Sequence, residues 1–230
     1  MAPTATTKKG SPPFEGSIAI IDPAVKKAEL EAFNELARMA PCRMSYHLPG
    51  LFGVASLNQL VAEPSGIILM GSASSVHDHL PWQKELETWL RPRIEAKIPV
   101  LGICFGHQFI ASLYGGEVGF LHPDRRHRKG SFELSLSRHP LLSGESKKGF
   151  CLSSHQEIVS KCPRDFDVLG SSDAVAIEAL GHKVLPVWTF QCHPEATKRF
   201  LKTRCGGEPL DERALEFGRT ILRGFFKLVS

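Results

Sequence analysis

Apolar residues fall along this chain in two kinds of block. Short continuous runs alternate with longer stretches in which apolar positions recur every three or four residues. "SIAIID" (17–22) is the first run. It stops at Asp22-Pro23 and predicts a strand buried on both faces. Over 24–40, Val25, Ala28, Ala32, Leu36 and Ala40 share one helical face. "CRMSYHL" (42–48) and "GIILM" (66–70) predict a second and a third strand. Trp82, Leu86, Trp89, Leu90 and Ile94 give 82–97 a helical stripe, and "IPVLGIC" (98–104) predicts a fourth buried strand. Gly106 to Tyr114 then suit a helix that stops at Gly115-Gly116.

Strands alternating with helices predict an α/β fold, with a central, mostly parallel sheet and helices on both faces. Past Gly116 the pattern changes. "FELSLSR" (132–138) alternates with period two, and "GFCLSSH" (149–155), "DAVAIEAL" (173–180) and "LPVWTFQCH" (185–193) follow with little helix between them. These predict antiparallel strands laid at one edge of the sheet. A last helix over 211–228 carries Ala214, Phe217, Ile221, Phe225 and Leu228. No internal repeat is present. The first 16 residues, "MAPTATTKKGSPPFEG", lack an apolar core and read as a disordered leader, which leaves 17–230 as one domain.

Composition narrows the class without deciding it. The 230 residues are 42% hydrophobic and 23% charged, ordinary for a globular protein, with a net charge of +4. Arg125-Arg126-His127-Arg128-Lys129 is the one dense basic cluster. It reads as a solvated loop rather than a nucleic-acid patch, because no aromatic interleaving or nucleic-acid motif accompanies it. No apolar stretch approaches the ~20 residues that span a bilayer. Six cysteines are scattered without C-x-x-C pairing or zinc-finger spacing, so reduced thiols in a cytoplasm are expected, with no metal.

Candidate chemistry begins at the fourth strand. "GICFG" (102–106) sets Cys104 between a strand and a helix, with Gly102 and Gly106 on either side. A cysteine nucleophile needs a sharp turn for exposure, a base for its proton and donors for the oxyanion. The two glycines permit the turn. A helix starting beneath the sulfur favours the thiolate, and the N–H of Phe105 becomes an oxyanion donor. Taken alone, the same motif suits a buried core thiol equally well. "FQCHPEA" (190–196) supplies the second half. Gln191, His193 and Glu195 alternate along an extended segment, and Pro194 forbids a helix through it. A histidine with a carboxylate two residues on can be held in one tautomer and orientation. A lone His-Pro-Glu is more often a surface turn; the pair of motifs is not so easily dismissed.

Together, Gly102-Ile103-Cys104-Phe105-Gly106-His107-Gln108 and Gln191-Cys192-His193-Pro194-Glu195 resemble the two signatures of the class I glutamine amidotransferases. The resemblance covers about residues 17–200 and looks most like the GMP-synthase-type amidotransferase domain. It implies the flavodoxin-like architecture of that family and a triad of Cys104, His193 and Glu195. It also implies a second oxyanion donor from the backbone of Gly71 or Ser72, since "GSASSV" (71–76) is similar to the family's Gly-rich loop, without its second Gly and its Pro. Gln108, Ser154 and His155 are implied at the glutamine site, the last two by "SSHQEIV" (153–159). Alone, His155 is as readily an exposed loop histidine. Thr189-Phe190 stand where the family usually has Gly-Val, and Cys192 stands for Phe. These departures remove no reacting group.

The implied reaction is hydrolysis of the glutamine side-chain amide through a cysteine thioester, without a cofactor. No G-x-x-x-x-G-K-[ST] or pyrophosphatase-like loop is present here, so the chain is expected to be either the glutaminase half of a two-chain enzyme, passing ammonia to a separate synthetase chain, or a free-standing hydrolase. The residues leave two rivals open: a γ-glutamyl peptidase with the same triad, and an idle binding module.

Overall fold

The buried runs of the sequence become the middle of one large sheet. The structure is a computed structural model, and it describes residues 16–143, 145–206 and 211–229. The expected leader therefore lies, Gly16 apart, outside the described residues. β1 (Ser17–Ile21) leads to α1 (Leu30–Met39), β2 (Arg43–His47), two single-turn helices α2 (Pro49–Phe52) and α3 (Ala55–Asn58), and β3 (Gly66–Leu69). After a 3-10 turn come α4 (Pro81–Glu95), β4 (Val100–Ile103) and α5 (Phe105–Leu113). The second half runs β5 (Glu117–Phe120), β6 (Arg128–His139), β7 (Glu145–His155), β8 (Glu157–Lys161), β9 (Phe166–Ser171), β10 (Ala179–His182) and β11 (Val187–Phe190). It closes with α6 (Lys198–Arg204) and α7 (Glu212–Leu228).

Nine strands form the sheet in the order β2-β1-β3-β4-β11-β10-β9-β6-β7. β2, β1, β3, β4 and β11 run parallel, and β10, β9, β6 and β7 add antiparallel strands on one side. β5 and β8 pair separately. The expected α/β class and antiparallel extension both hold. Helices cover both faces because side chains alternate across each strand. Ile18 and Ile20 of β1 meet α1 and α7 through Leu36, Leu222 and Phe225. Ala19 and Ile21 face α4 and α5 through Leu86, Leu90 and Ile110.

Several expected elements change at their ends, each for a visible reason. The helix expected over 24–40 starts only at Leu30. Asp22 accepts hydrogen bonds from the backbone N–H of Ala24 at 3.0 Å and Glu29 at 2.8 Å, and from the Tyr46 hydroxyl. That carboxylate holds 22–29 as a loop. The strand expected over 173–180 survives only as β10, because Ser172 and Asp173 are spent on local and ionic contacts. The strand over 185–193 ends at Phe190.

The basic cluster is not all solvated loop. Arg128 opens β6 and is buried. Its guanidinium lies 3.8 Å from the centroid of the Phe132 ring and 2.6 Å from Asp173.

Candidate active site

The C-terminal ends of β3, β4 and β11 lie side by side, the place where parallel α/β sheets present ligands. Cys104 follows β4 directly, with φ 51° and ψ −101°. An L-residue held there costs on the order of 1–3 kcal/mol, and neighbouring packing enforces it. A Cβ on Gly102 would sit 2.8 Å from the Gly106 carbonyl oxygen, and one on Gly106 would sit 2.3 Å from that of Leu69. Only glycine at both positions lets α5 press against β3 and β4. The Cys104 N–H donates to the Phe190 carbonyl at 2.8 Å, and its carbonyl accepts from the Gln108 N–H at 3.1 Å. The chain thus turns from strand to helix on a single residue. Phe105 begins α5, so its N–H is one of those with no intrahelical partner.

The segment after β11 brings the second motif to the same point. The His193 N–H donates to the Leu152 carbonyl at 2.8 Å, and the Ala196 N–H returns to the His193 carbonyl at 3.2 Å. This tight turn sets His193 Nδ1 2.8 Å from Glu195 Oε1. Both side chains are buried. Phe200 of α6 packs on the imidazole with ring centroids 4.5 Å apart. A Cβ on Gly71 would lie 2.8 Å from His193 Cε1 and 3.4 Å from Cys104 Cβ. Gly71, Cys104 and His193 are therefore mutual neighbours. Burial alone would drive a proton off His193; the Glu195 carboxylate, with the neighbouring Cys104, outweighs it and holds the imidazole well above its ordinary pKa.

These groups open into a cavity of about 500 Å³. Gly71, Ser72, Cys104, Gln108, Ser154, His155, His193 and Glu195 all line it. The remaining candidate site residue, Phe105, stands outside that lining, its ring packing on Trp82 and Phe109. His155 is buried, not an exposed loop residue, and burial pushes its imidazole down to about 3. Ser72 uses its hydroxyl on the loop, donating to the Pro23 carbonyl at 2.7 Å and accepting from the Ser74 N–H at 3.0 Å. The Ser154 hydroxyl donates to the Arg204 carbonyl at 3.3 Å. Gln108 Nε2 donates to the Glu157 carbonyl at 2.8 Å.

Glu157, Phe200 and the cavity rim were not legible as site residues. Glu157 accepts from the Ser75 hydroxyl at 2.9 Å and lines the cavity. At the rim, Arg204 pairs with Glu29 at 2.6 Å and Arg199 with Glu31 at 3.1 Å, tying α6 to α1 and the loop before it. Only Glu157 had a signal, its place in "SSHQEIV" beside His155.

The profile of the family "Glutamine amidotransferase class-I" matches residues 53–205. The chain belongs to the class I glutamine amidotransferases. Among curated relatives, this amidotransferase is 31% identical over 172 residues to a glutamine-hydrolyzing GMP synthase subunit from Methanocaldococcus jannaschii, covering 72% of the chain and 74% of the relative. The corresponding GMP synthase subunit from Pyrococcus furiosus is 32% identical over 170 residues, covering 72% and 76%. The fold of the amidotransferase also matches solved structures. A glutamine amidotransferase from Methylobacillus flagellatus superposes with a TM-score of 0.69 at 21% identity, covering 91% of this chain and 92% of that one. One from Thermotoga maritima gives 0.68 at 17%, covering 93% and 96%.

Proposed function

We propose that this amidotransferase hydrolyses the side-chain amide of glutamine, with Cys104 as nucleophile, His193 as proton carrier and Glu195 orienting it. One observation carries the reading: the strained Cys104, at a helix start, shares a cavity wall with a buried His193 already paired to Glu195 at 2.8 Å. The Cys104 thiol gives its proton to His193. The sulfur then attacks the amide carbon, forming a C–S bond and pushing negative charge onto the carbonyl oxygen. The backbone N–H groups of Phe105 and of Gly71 or Ser72 receive that charge. As the oxyanion collapses, the C–N bond breaks and His193 returns the proton to the departing ammonia. Water, deprotonated by His193, cleaves the γ-glutamyl thioester to glutamate and restores the thiol. Gln108, Ser154 and His155 line the substrate side of the cavity.

The curated relatives are named as subunits of GMP synthase. Their names support a partner synthetase chain as the acceptor of the ammonia. Six cysteines outside any disulfide, four of them buried, suit a reducing cytoplasm. Among the described residues no helix is long and apolar enough to cross a membrane.

A second reading draws on the size of the cavity, which runs from Cys104 to Lys26, Lys27 and Arg204 at its rim. That space would admit γ-glutamyl amides larger than glutamine, with the same first step and an amine in place of ammonia. The test assays the purified chain, alone and with candidate synthetase, for ammonia from glutamine and amine from γ-glutamyl dipeptides. Preference for the larger amides would favour the second reading. Ammonia release undiminished by Cys104→Ala would refute both.

A further inference from the structure

Gln191 takes no part in the reaction as described, yet it sits against the sulfur. Its side chain is fully buried, one residue past β11 and two before His193. A buried carboxamide must find partners for both its ends, and those partners decide which end is oxygen. Here the decision propagates from the backbone. The Glu157 carbonyl can only accept, so the Gln108 side-chain atom 2.8 Å from it is the nitrogen. That same nitrogen lies 3.2 Å from the Gln191 side chain, whose near atom must therefore be the oxygen Oε1. The far atom of Gln191 is then the nitrogen Nε2, 3.7 Å from Cys104 Sγ. Gln108 stands one turn along α5 from Cys104 and is joined to it by a backbone hydrogen bond of 3.1 Å, so this relay is fixed to the nucleophile's own helix.

We propose that Gln191 is a positioning residue that donates an N–H to the Cys104 sulfur and stabilises it as an anion. Gln108 and the Glu157 carbonyl hold that donor in place. The inference rests on the reading of Cys104 as nucleophile. It adds a donor whose proton is never transferred. His193 must release the sulfur to serve the leaving ammonia; Gln191 stays. The same contact supports the sulfur when it departs as a thiolate from the thioester, so both halves of the cycle gain.

Two variants separate the donor from the shape. Gln191→Met fills the space without a donor. Gln191→Glu keeps an oxygen to accept from Gln108 Nε2 and replaces the N–H donor facing the sulfur with a carboxylate oxygen, which cannot donate and adds negative charge there. Both are expected to lower kcat for glutamine by about tenfold to a hundredfold, the range of a hydrogen bond to a charged group, with KM unchanged. Iodoacetamide should alkylate Cys104 more slowly by a similar factor in the free enzyme. The half-buried Cys42 and Cys162, followed in the same digest, should react as in the wild type; a merely loosened fold would speed all three. Wild-type kcat and Cys104 alkylation in a folded Gln191→Glu variant, with Cys104→Ala inactive, would overturn the inference and leave the nucleophile standing. Activity in Cys104→Ala would overturn both. Should neither variant fold, Gln108→Met decides on alkylation alone: slowed at Cys104 if the relay orients the donor, unchanged if it does not.

Discussion

Gly71→Ala is the sharpest steric probe of the site, because it adds one methyl group where the geometry leaves no room. The new Cβ would stand 2.8 Å from His193 Cε1 and 3.4 Å from Cys104 Cβ. Carbon atoms settle at about 3.5–4.0 Å, so the imidazole must retreat by roughly 0.7–1 Å. It cannot retreat freely. Phe200 lies on the ring at a centroid separation of 4.5 Å, and Glu195 holds Nδ1 at 2.8 Å. The displacement therefore falls on the approach between His193 and Cys104. A misplacement of about 1 Å costs about a hundredfold in rate, or ~3 kcal/mol of barrier. Overpacking itself costs about 1–3 kcal/mol of stability, so the fold should survive. Steady-state ammonia release from glutamine, beside a thermal melt, reads both quantities. Gly119→Ala is the control, since its nearest neighbour would be the Ser160 hydroxyl at 3.8 Å; it should be neutral. A Gly71→Ala enzyme with wild-type kcat/KM would refute the packed arrangement of these three residues.

Two further predictions follow from charge. Glu195→Gln keeps the shape beside His193 and removes the charge that opposes burial, so the imidazolium should lose its proton at lower pH. kcat should fall by about 10²–10⁴, with less effect on KM, because Glu195 serves the histidine and not the substrate; a pH–rate profile identical to wild type would contradict this. Acid should unfold the protein through His107, His139 and His155, which burial pushes down to about 3, 4 and 3. Their folded pKa values lie below the ordinary 6.5, so their contribution is full above pH 6.5 and is lost as pH falls toward 4. Each loses about 1 kcal/mol per pH unit in that window. Asp22 and Glu178, pushed up by burial, offset part of the loss. His193, raised instead, adds no slope below pH 6.5. Melting temperature should drop steeply below pH 6, and should fall again as pH rises above 7 toward the raised pKa of His193; a flat profile down to pH 4.5 would contradict the buried neutral state of these rings.

The parallel half of the sheet was legible because strands covered on both faces are apolar throughout. "SIAII", "GIIL" and "VLGI" can be neither amphipathic helix nor loop. The site was legible for a related reason: a nucleophile at a strand end needs glycines where helix meets strand, and those glycines are local in sequence. What escaped depends on contacts made across the fold. Asp22 delays α1 by binding backbone N–H groups up to seven residues on, which no apolar period reveals. β5, β8 and β9 are short, and β5 and β9 show largely exposed patterns, so the alternation is weak. α6 is seven residues long, with Leu201 its buried side chain, and gives no stripe. Arg128 looked like one charge in a solvated run, but its ionic partner Asp173 lies in the loop between β9 and β10, 45 residues on. Gln191 stood in plain view, alternating with His193 and Glu195. Its aim at the sulfur depends on Gln108 and the Glu157 carbonyl, brought to it only by folding.

The central claim is that the sulfur of Cys104 forms a covalent bond with the γ-carbonyl carbon of its substrate. Rapid acid quench of the enzyme turning over glutamine, followed by intact-protein and peptide mass spectrometry, tests it directly. The expected result is one γ-glutamyl group, mapped to Cys104 and absent from Cys104→Ala. Turnover with no adduct in wild type, even in a variant slowed at His193, or an adduct mapped to another residue, would contradict it.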